Sequence, residues 1–377
     1  MFQVASGAFI AYIVTFFTMP FIIRIARVNR IYDVPDARKT HADAISSLGG
    51  ISIFVGLSLA LLLVSDFKID NQEFQYHLAA FFIIFIIGVI DDIFVLKAWK
   101  KVLGQMFVAA VISAKAHLLI TNFHGFLGVN ELTQTASYVI TFFVIMLVIN
   151  SFNLIDGVDG LAGSLGLFSC LGFGVFFLLN NYISYAILSL SMAGSLLAFL
   201  QFNFPPAKIF MGDSGSMLLG LVNAILVIKF SETASFTPVY AVKAAPAIGF
   251  GLLLIPLLDV LRVFIIRLSK GKSPFAPDRN HVHHLLLNKG FSSKQVTLIL
   301  IFSSMVFAAV PILLNQVLDI NFIVLILIGM FFSGVLFITY FLPIQKALRA
   351  IHTAPDANVK VLNMYSANKE NTASNDE

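Results

Sequence analysis

Residues 138–163 read YVITFFVIMLVINSFNLIDGVDGLAG: an unbroken apolar run gives way to two asparagines and two aspartates within ten positions. The apolar part is not alone. Runs of roughly 20 mostly apolar residues, the length that crosses ~30 Å of hydrocarbon as a helix, fall near 5–25, 48–65, 77–94, 102–120, 136–152, 160–179, 183–202, 214–229, 243–266, 295–314 and 322–342. The composition agrees, with 58% hydrophobic residues, 12% charged and 39 phenylalanines. A mean hydropathy of +0.91 lies far from the balance of a soluble domain. The fold class that follows is all-α, a polytopic integral membrane protein of about eleven transmembrane helices. One membrane domain covers 1–342, and a polar tail, 343–377, ends in NKENTASNDE, a composition that cannot bury enough surface to offset its own ordering. The first positive charge is Arg24, so no basic region precedes the first span, and that span is expected to be retained. The single cysteine, Cys170, lies in an apolar run and has no partner for an internal disulfide.

Charge sets the expected orientation. If the connection after the first span is cytoplasmic, that side collects all of the 24 lysines and arginines except Lys68, Lys115, Lys229 and Lys243. Such a positive-inside bias puts the N-terminus outside and the C-terminus in the cytoplasm. The net charge of +4 then reflects basic loops facing anionic lipid and calls for no nucleic-acid partner.

The same basic side carries the unusual polar residues. Its connections read DVPDARKTHADAISSLGG (33–50), DDIFVLKAWKKVLGQ (91–105), NSFNLIDGVDGLAG (150–163), FNFPPAKIFMGDSGSMLLG (202–220) and SKGKSPFAPDRNHVHHLLLNKG (269–290). The opposite connections, such as TNFHGFLGVNELTQTAS (121–137), show no comparable clustering. Asp91, Asp92, Asp156, Asp159 and Asp213 all border hydrocarbon, where a charge is costly unless paired or metal-bound. A hard divalent cation such as Mg²⁺ takes one or two carboxylates and completes its shell with water and substrate phosphates. The remaining acids are then free to orient hydroxyls or handle protons. Asn150, Asn153, Asp156 and Asp159 recur every third residue, which on a regular helix would fan them over half the cylinder. Gly157 and Gly160 instead predict that the helix ends in a tight turn gathering these groups into one pocket. MGDSG (211–215) sets Asp213 between glycines, where backbone amides could approach a phosphate or the acid could cap the next helix. Arg279, His281, His283 and His284 suit phosphate contacts better than a zinc site, for which further ligands are lacking.

Taken in order, the paired DD, NxxNxxDGxDGLA, FPPAKIFMGDSG and PDRNHVHHLL resemble the polyprenyl-phosphate N-acetylhexosamine-1-phosphate transferase family across residues 33–290. The resemblance implies an all-helical bundle with a cytoplasmic cleft, usually dimeric, in a bacterial inner membrane. The implied reaction transfers GlcNAc-1-phosphate from UDP-GlcNAc to undecaprenyl phosphate with release of UMP, the opening step of lipid-linked glycans such as O-antigen and enterobacterial common antigen. It implies Mg²⁺, with Mn²⁺ as a substitute, held by Asp213. Asp91 and Asp92 would be the catalytic pair and Lys101 a phosphate contact. Asn150, Asn153, Asp156 and Asp159 would line the nucleotide-sugar site, Asn203 and Phe210 would bind and stack the uracil, and Arg279, His281, His283 and His284 would lie near the phosphates. A phosphate monoester is already largely dianionic at neutral pH, its second pKa being about 6, so a general base gains little. A two-step route through an aspartyl phosphate stays open.

Two departures bear on the substrate. Members that act on phospho-MurNAc-pentapeptide carry three consecutive histidines and a basic residue before PTMGG, whereas this chain has His-Val-His-His and HADAISSLGG, which argues against that donor. Another UDP-N-acetylhexosamine is the alternative within the family. A proton-coupled transporter is the alternative outside it, but such proteins place their binding site near the bilayer midplane rather than at one face.

Overall fold

The computed structural model describes residues 1–29, 31, 45–64, 72–237, 240–273 and 280–343. The tail expected over 343–377 lies, from residue 344 on, outside the described residues, as does Arg279. Among the described residues the chain is all-helical: α1 (Phe2–Val28), α2 (Gly49–Val64), α3 (Gln72–Phe94), α4 (Ala98–Ala114), α5 (Gln134–Ile155), α6 (Leu161–Leu179), α7 (Ile183–Asn203), α8 (Gly212–Thr233), α9 (Ala245–Leu252), α10 (Leu254–Ser269), α11 (Val282–Asn288), α12 (Ser293–Leu314) and α13 (Ile320–Leu336). Eight of these helices, the last extended to Phe341, are long and apolar enough to cross a membrane, and α9 with α10 adds a ninth if the bent pair is one span. The expected spans at 48–65 and 102–120 appear as shorter helices, α2 with 16 residues and α4 with 17.

The run 243–266, read as one span, is broken at Leu253, where α9 and α10 meet at 78°. Pro256 supplies the reason. It has no N–H to give to the carbonyl of Leu252, so the ladder cannot continue through this turn.

Helix α8 is the axis of the bundle. Apart from its two ends it is buried nearly all round, packed by α2, α3, α5, α6 and α9. No hydrophobic force drives helices together in lipid, so close backbone packing has to do so, and small residues permit it. A Cβ at Gly88 of α3 would lie 2.3 Å from the Cα of Ser214, a backbone atom with nowhere to go. At the far end of α8, the carboxylate of Glu232 accepts from the backbone N–H of Thr121 at 2.8 Å and from its hydroxyl, tying down a hairpin (121–132). The result is a central rod with its N-terminus at one face of the bundle and a clamped C-terminus at the other.

Candidate active site

The N-terminus of α8 has no side-chain cap of its own. Its exposed amides, left unpaired by helix geometry, are taken by a carboxylate from another helix. Asp92, near the end of α3, accepts from Asp213 N at 2.7 Å, Ser214 N at 3.1 Å and the Ser214 hydroxyl at 2.6 Å. Gly212 makes this approach possible: it has φ +73°, and a Cβ there would lie 1.9 Å from the carbonyl oxygen of Ser47. Two of the amides in MGDSG, those of Asp213 and Ser214, are therefore already occupied, and the helix is capped by Asp92 rather than by Asp213.

With its backbone fixed in this way, Asp213 presents its side chain to two other helices. Lys101, in the first turn of α4, lies 2.6 Å from Asp213 Oδ2 and 2.8 Å from Asp91 Oδ2. Asn153 of α5 donates to Asp213 Oδ1 at 2.9 Å and contacts the Ser216 hydroxyl at 3.1 Å. Asp91 Oδ1 accepts from Leu96 N at 2.6 Å, closing the turn between α3 and α4. Four helix ends thus meet at one ammonium held between two carboxylates.

Asp156 follows α5 directly, and its carboxylate accepts no hydrogen bond among the described residues. Burial raises its pKa well above the usual carboxylate range, and the neighbouring charges of Asp213, Asp92 and Asp159 add to the effect. A partly buried acid facing three other acids, with no donor of its own, suits a cation. Among the described residues no group of three or more His, Cys, Asp or Glu side chains forms a ready metal cage. Mg²⁺ does not need one: one or two carboxylates with water and phosphate suffice. Asp156, unengaged, and Asp213, once Lys101 releases its Oδ2, would be the two carboxylates for such an ion.

The other expected residues divide by what they touch. Asn203 is buried and engaged at both ends, accepting from Gly160 N and donating to Ile209 O, each at 2.9 Å. Asp159, also buried, accepts from Ala207 N at 3.2 Å, and its own carbonyl accepts from Thr297 at 2.9 Å. Together they pin the DGVDG turn to the segment before α8. Phe210 is half-buried and pairs through its backbone with Ser46 and Gly49. Asn150 lies one turn below Asn153 and bonds Gln105.

The histidines rest on residues that the motif reading passed over. His281 Nδ1 lies 2.9 Å from Asp259 Oδ2, and its Nε2 is 3.4 Å from Arg267. Asp259, fully buried, also accepts from Val282 N and Arg262, both at 3.0 Å, and Arg262 bonds the Asn280 carbonyl. His283 stacks on His281 with centroids 5.5 Å apart, and its Nε2 packs against Gly157, which brings α11 to the DGVDG turn. Burial first, then the neighbouring His284, pushes the His283 imidazole down to about 3. A usable signal for Asp259, Arg262 and Arg267 was present: LLDVLRVFIIR (257–267) sets charges inside an apolar run, where they mark function by default.

Residues 74–231 match the sequence profile of Glycosyl transferase family 4. The chain is 30% identical over 308 residues to the undecaprenyl-phosphate alpha-N-acetylglucosaminyl 1-phosphate transferase of Yersinia pestis, covering 79% of this chain and 81% of that one. It is 33% identical over 319 residues to the decaprenyl-phosphate N-acetylglucosaminephosphotransferase of Mycobacterium leprae (strain TN), covering 79% and 80%. With the Escherichia coli (strain K12) protein of the same name as the Yersinia one it shares 28% over 295 residues, covering 77% and 78%. On that identity and coverage, the chain belongs to the polyprenyl-phosphate N-acetylhexosamine-1-phosphate transferase family.

Proposed function

We propose that this protein transfers GlcNAc-1-phosphate from UDP-GlcNAc to undecaprenyl phosphate, releasing UMP, and so begins a lipid-linked surface glycan of the O-antigen or enterobacterial common antigen kind. The observation that carries the reading is the junction of Lys101, Asp91, Asp213 and Asn153 at one end of the bundle. The names of the relatives supply the sugar phosphate and the class of lipid acceptor.

In this reaction an oxygen of the lipid phosphate attacks the β-phosphorus of the donor, the bond to the bridging oxygen breaks, and UMP leaves with that oxygen. Positioning and charge neutralisation dominate such a transfer. Lys101 would exchange part of its contact with Asp91 and Asp213 for the diphosphate. Asn153 and Asp92 hold Asp213 in place from the side chain and the backbone respectively. His284, and Arg267 through His281, would add positive charge or donors from the side of α11 and α10. Asp213, with Asp156 beside it, would hold Mg²⁺, or Mn²⁺ in its place, which when bound neutralises diphosphate charge. Eleven membrane passes with the N-terminus outside would set this junction at the cytoplasmic face of the inner membrane.

The test is purified protein with UDP-GlcNAc, undecaprenyl phosphate and Mg²⁺, with UMP as the readout. Competition should give a higher kcat/KM for UDP-GlcNAc than for UDP-GalNAc, and no turnover of UDP-MurNAc-pentapeptide. An equal or higher value for UDP-GalNAc rejects the sugar while leaving the chemistry. A preference for decaprenyl over undecaprenyl phosphate rejects the acceptor.

A further inference from the structure

Three of the four helices that meet at Lys101 carry a second contact one turn deeper in the bundle. On α4, Gln105 follows Lys101 by four residues. On α8, Met217 follows Asp213 by four, and on α5, which runs the other way, Asn150 precedes Asn153 by three. Spacings of three and four put each pair on one face of its helix, about 5 Å apart along the axis. The deeper residues meet one another as the upper ones do. Asn150 donates to Gln105 Oε1 at 2.8 Å and to Met146 O at 2.8 Å, while Gln105 Nε2 lies 3.4 Å from the sulfur of Met217.

This tier sits where α4 most needs holding. The helix begins at Ala98 with no side-chain cap, and most of its first ten residues are exposed. Gln105 is the one buried residue among them, 2% exposed. A carboxamide buried in an apolar bundle has a strong requirement for a partner, and here that partner is on α5. The pair therefore sets the spacing and rotation of α4 against α5 and α8. Those two settings decide whether an ammonium one turn above can reach Asp91 and Asp213 together.

We propose that Gln105 and Asn150 are a positioning pair that acts through Lys101 and Asn153, and that neither touches substrate. The proposal reassigns Asn150, which the motif alone would place on the nucleotide sugar. It rests on the transferase reading for its kinetic assay.

The test is a double-mutant cycle on the full-length protein, followed by UMP release and by thermal unfolding. Gln105→Leu and Asn150→Leu should each lower kcat about tenfold, the scale of loss expected when reacting groups shift by a fraction of an ångström, with KM for UDP-GlcNAc changed less than twofold. The double variant should be no slower than the worse single one, because both remove the same contact. The exchange Gln105→Asn with Asn150→Gln restores the combined reach of the two side chains and should recover kcat to within about threefold of wild type, well above either single exchange. A rise in KM for UDP-GlcNAc at unchanged kcat in Asn150→Leu overturns the proposal, since it puts Asn150 on the donor. Unchanged kinetics in both leucine variants, or an exchange no better than its parts, overturns it as well. Wild-type protein that releases no UMP rejects the transferase reading instead. The pair is then judged by the unfolding midpoints, which must be non-additive for it to stand.

Discussion

Lys101 faces Asp213 at 2.6 Å and Asp91 at 2.8 Å, so the diphosphate of the proposed donor would have to compete with two carboxylates for one ammonium. Asp213 is the more consequential of the two acids, because its backbone is fixed by Asp92 and its side chain by Asn153. Asp213→Asn keeps an oxygen for Lys101 and leaves the cap of α8 intact, yet loses the charge. Turnover should fall by about 100-fold or more, the scale of lost electrostatic stabilisation, with little change in the unfolding midpoint. Near-normal turnover at ordinary Mg²⁺ would remove Asp213 from the metal site. His283 makes a separate prediction. Its imidazole stays neutral in the fold down to about 3, against an ordinary value of 6.5. Below 6.5 the unfolded chain takes up a proton that the folded one refuses. Its contribution to stability is therefore complete above 6.5 and is lost as pH falls from 6.5 towards 3. Replacing His283 with Gln should flatten that part of the stability profile in detergent, and a slope unchanged between pH 6.5 and 4 would show that the imidazole is not held neutral.

At the level of the helices, α8 depends on a cap supplied from α3. Asp92→Ala strands two backbone amides and a hydroxyl at the N-terminus of the central helix. The expected cost is about 2–4 kcal/mol, read as a lowered unfolding midpoint without substrate. Asp92→Asn, which keeps one acceptor, should lose less. An unchanged midpoint in the alanine variant would mean that Asp92 serves chemistry alone. These same helices show what hydropathy can and cannot reveal. Every apolar run picked from the sequence meets a helix, because in hydrocarbon a backbone has few other ways to satisfy its amides. The break at Leu253 was missed because its cause is one absent N–H at Pro256, which changes hydropathy hardly at all. Asp91, Asp92, Asp156 and Asp213 were legible because charges bordering lipid are rare and need a reason. Asp259 is legible in the same way, as a charge inside an apolar run, but its pairing with His281, 22 residues on, is not: only the folded chain puts them 2.9 Å apart. The clasp of Asn203 on Gly160 and Ile209 is likewise invisible in the motif, because it joins residues 43 and 6 positions away through the fold.

On the scale of the whole molecule, α8 separates two chemically different ends. Its 22 residues span about 33 Å, close to the ~30 Å of a bilayer's apolar core. Asp213 and its partners lie at one end, and the hairpin held by Glu232 lies at the other. With α8 as a span, the two would sit on opposite membrane faces whichever way the protein inserts, and the sense of insertion falls to charge. Lys208 and the basic residues around the junction favour the cytoplasm. Cysteine labelling can read this directly, since the native Cys170 is buried and should stay silent. Val129→Cys, at an exposed position in the hairpin, should react in intact cells with a membrane-impermeant maleimide. Lys208→Cys, exposed beside the junction, should react only after permeabilisation. The reverse pattern would place the aspartates outside, where nucleotide sugars are not supplied, and would remove the donor from the proposed reaction. Labelling of both positions in intact cells would contradict the bilayer-spanning path of α8 itself.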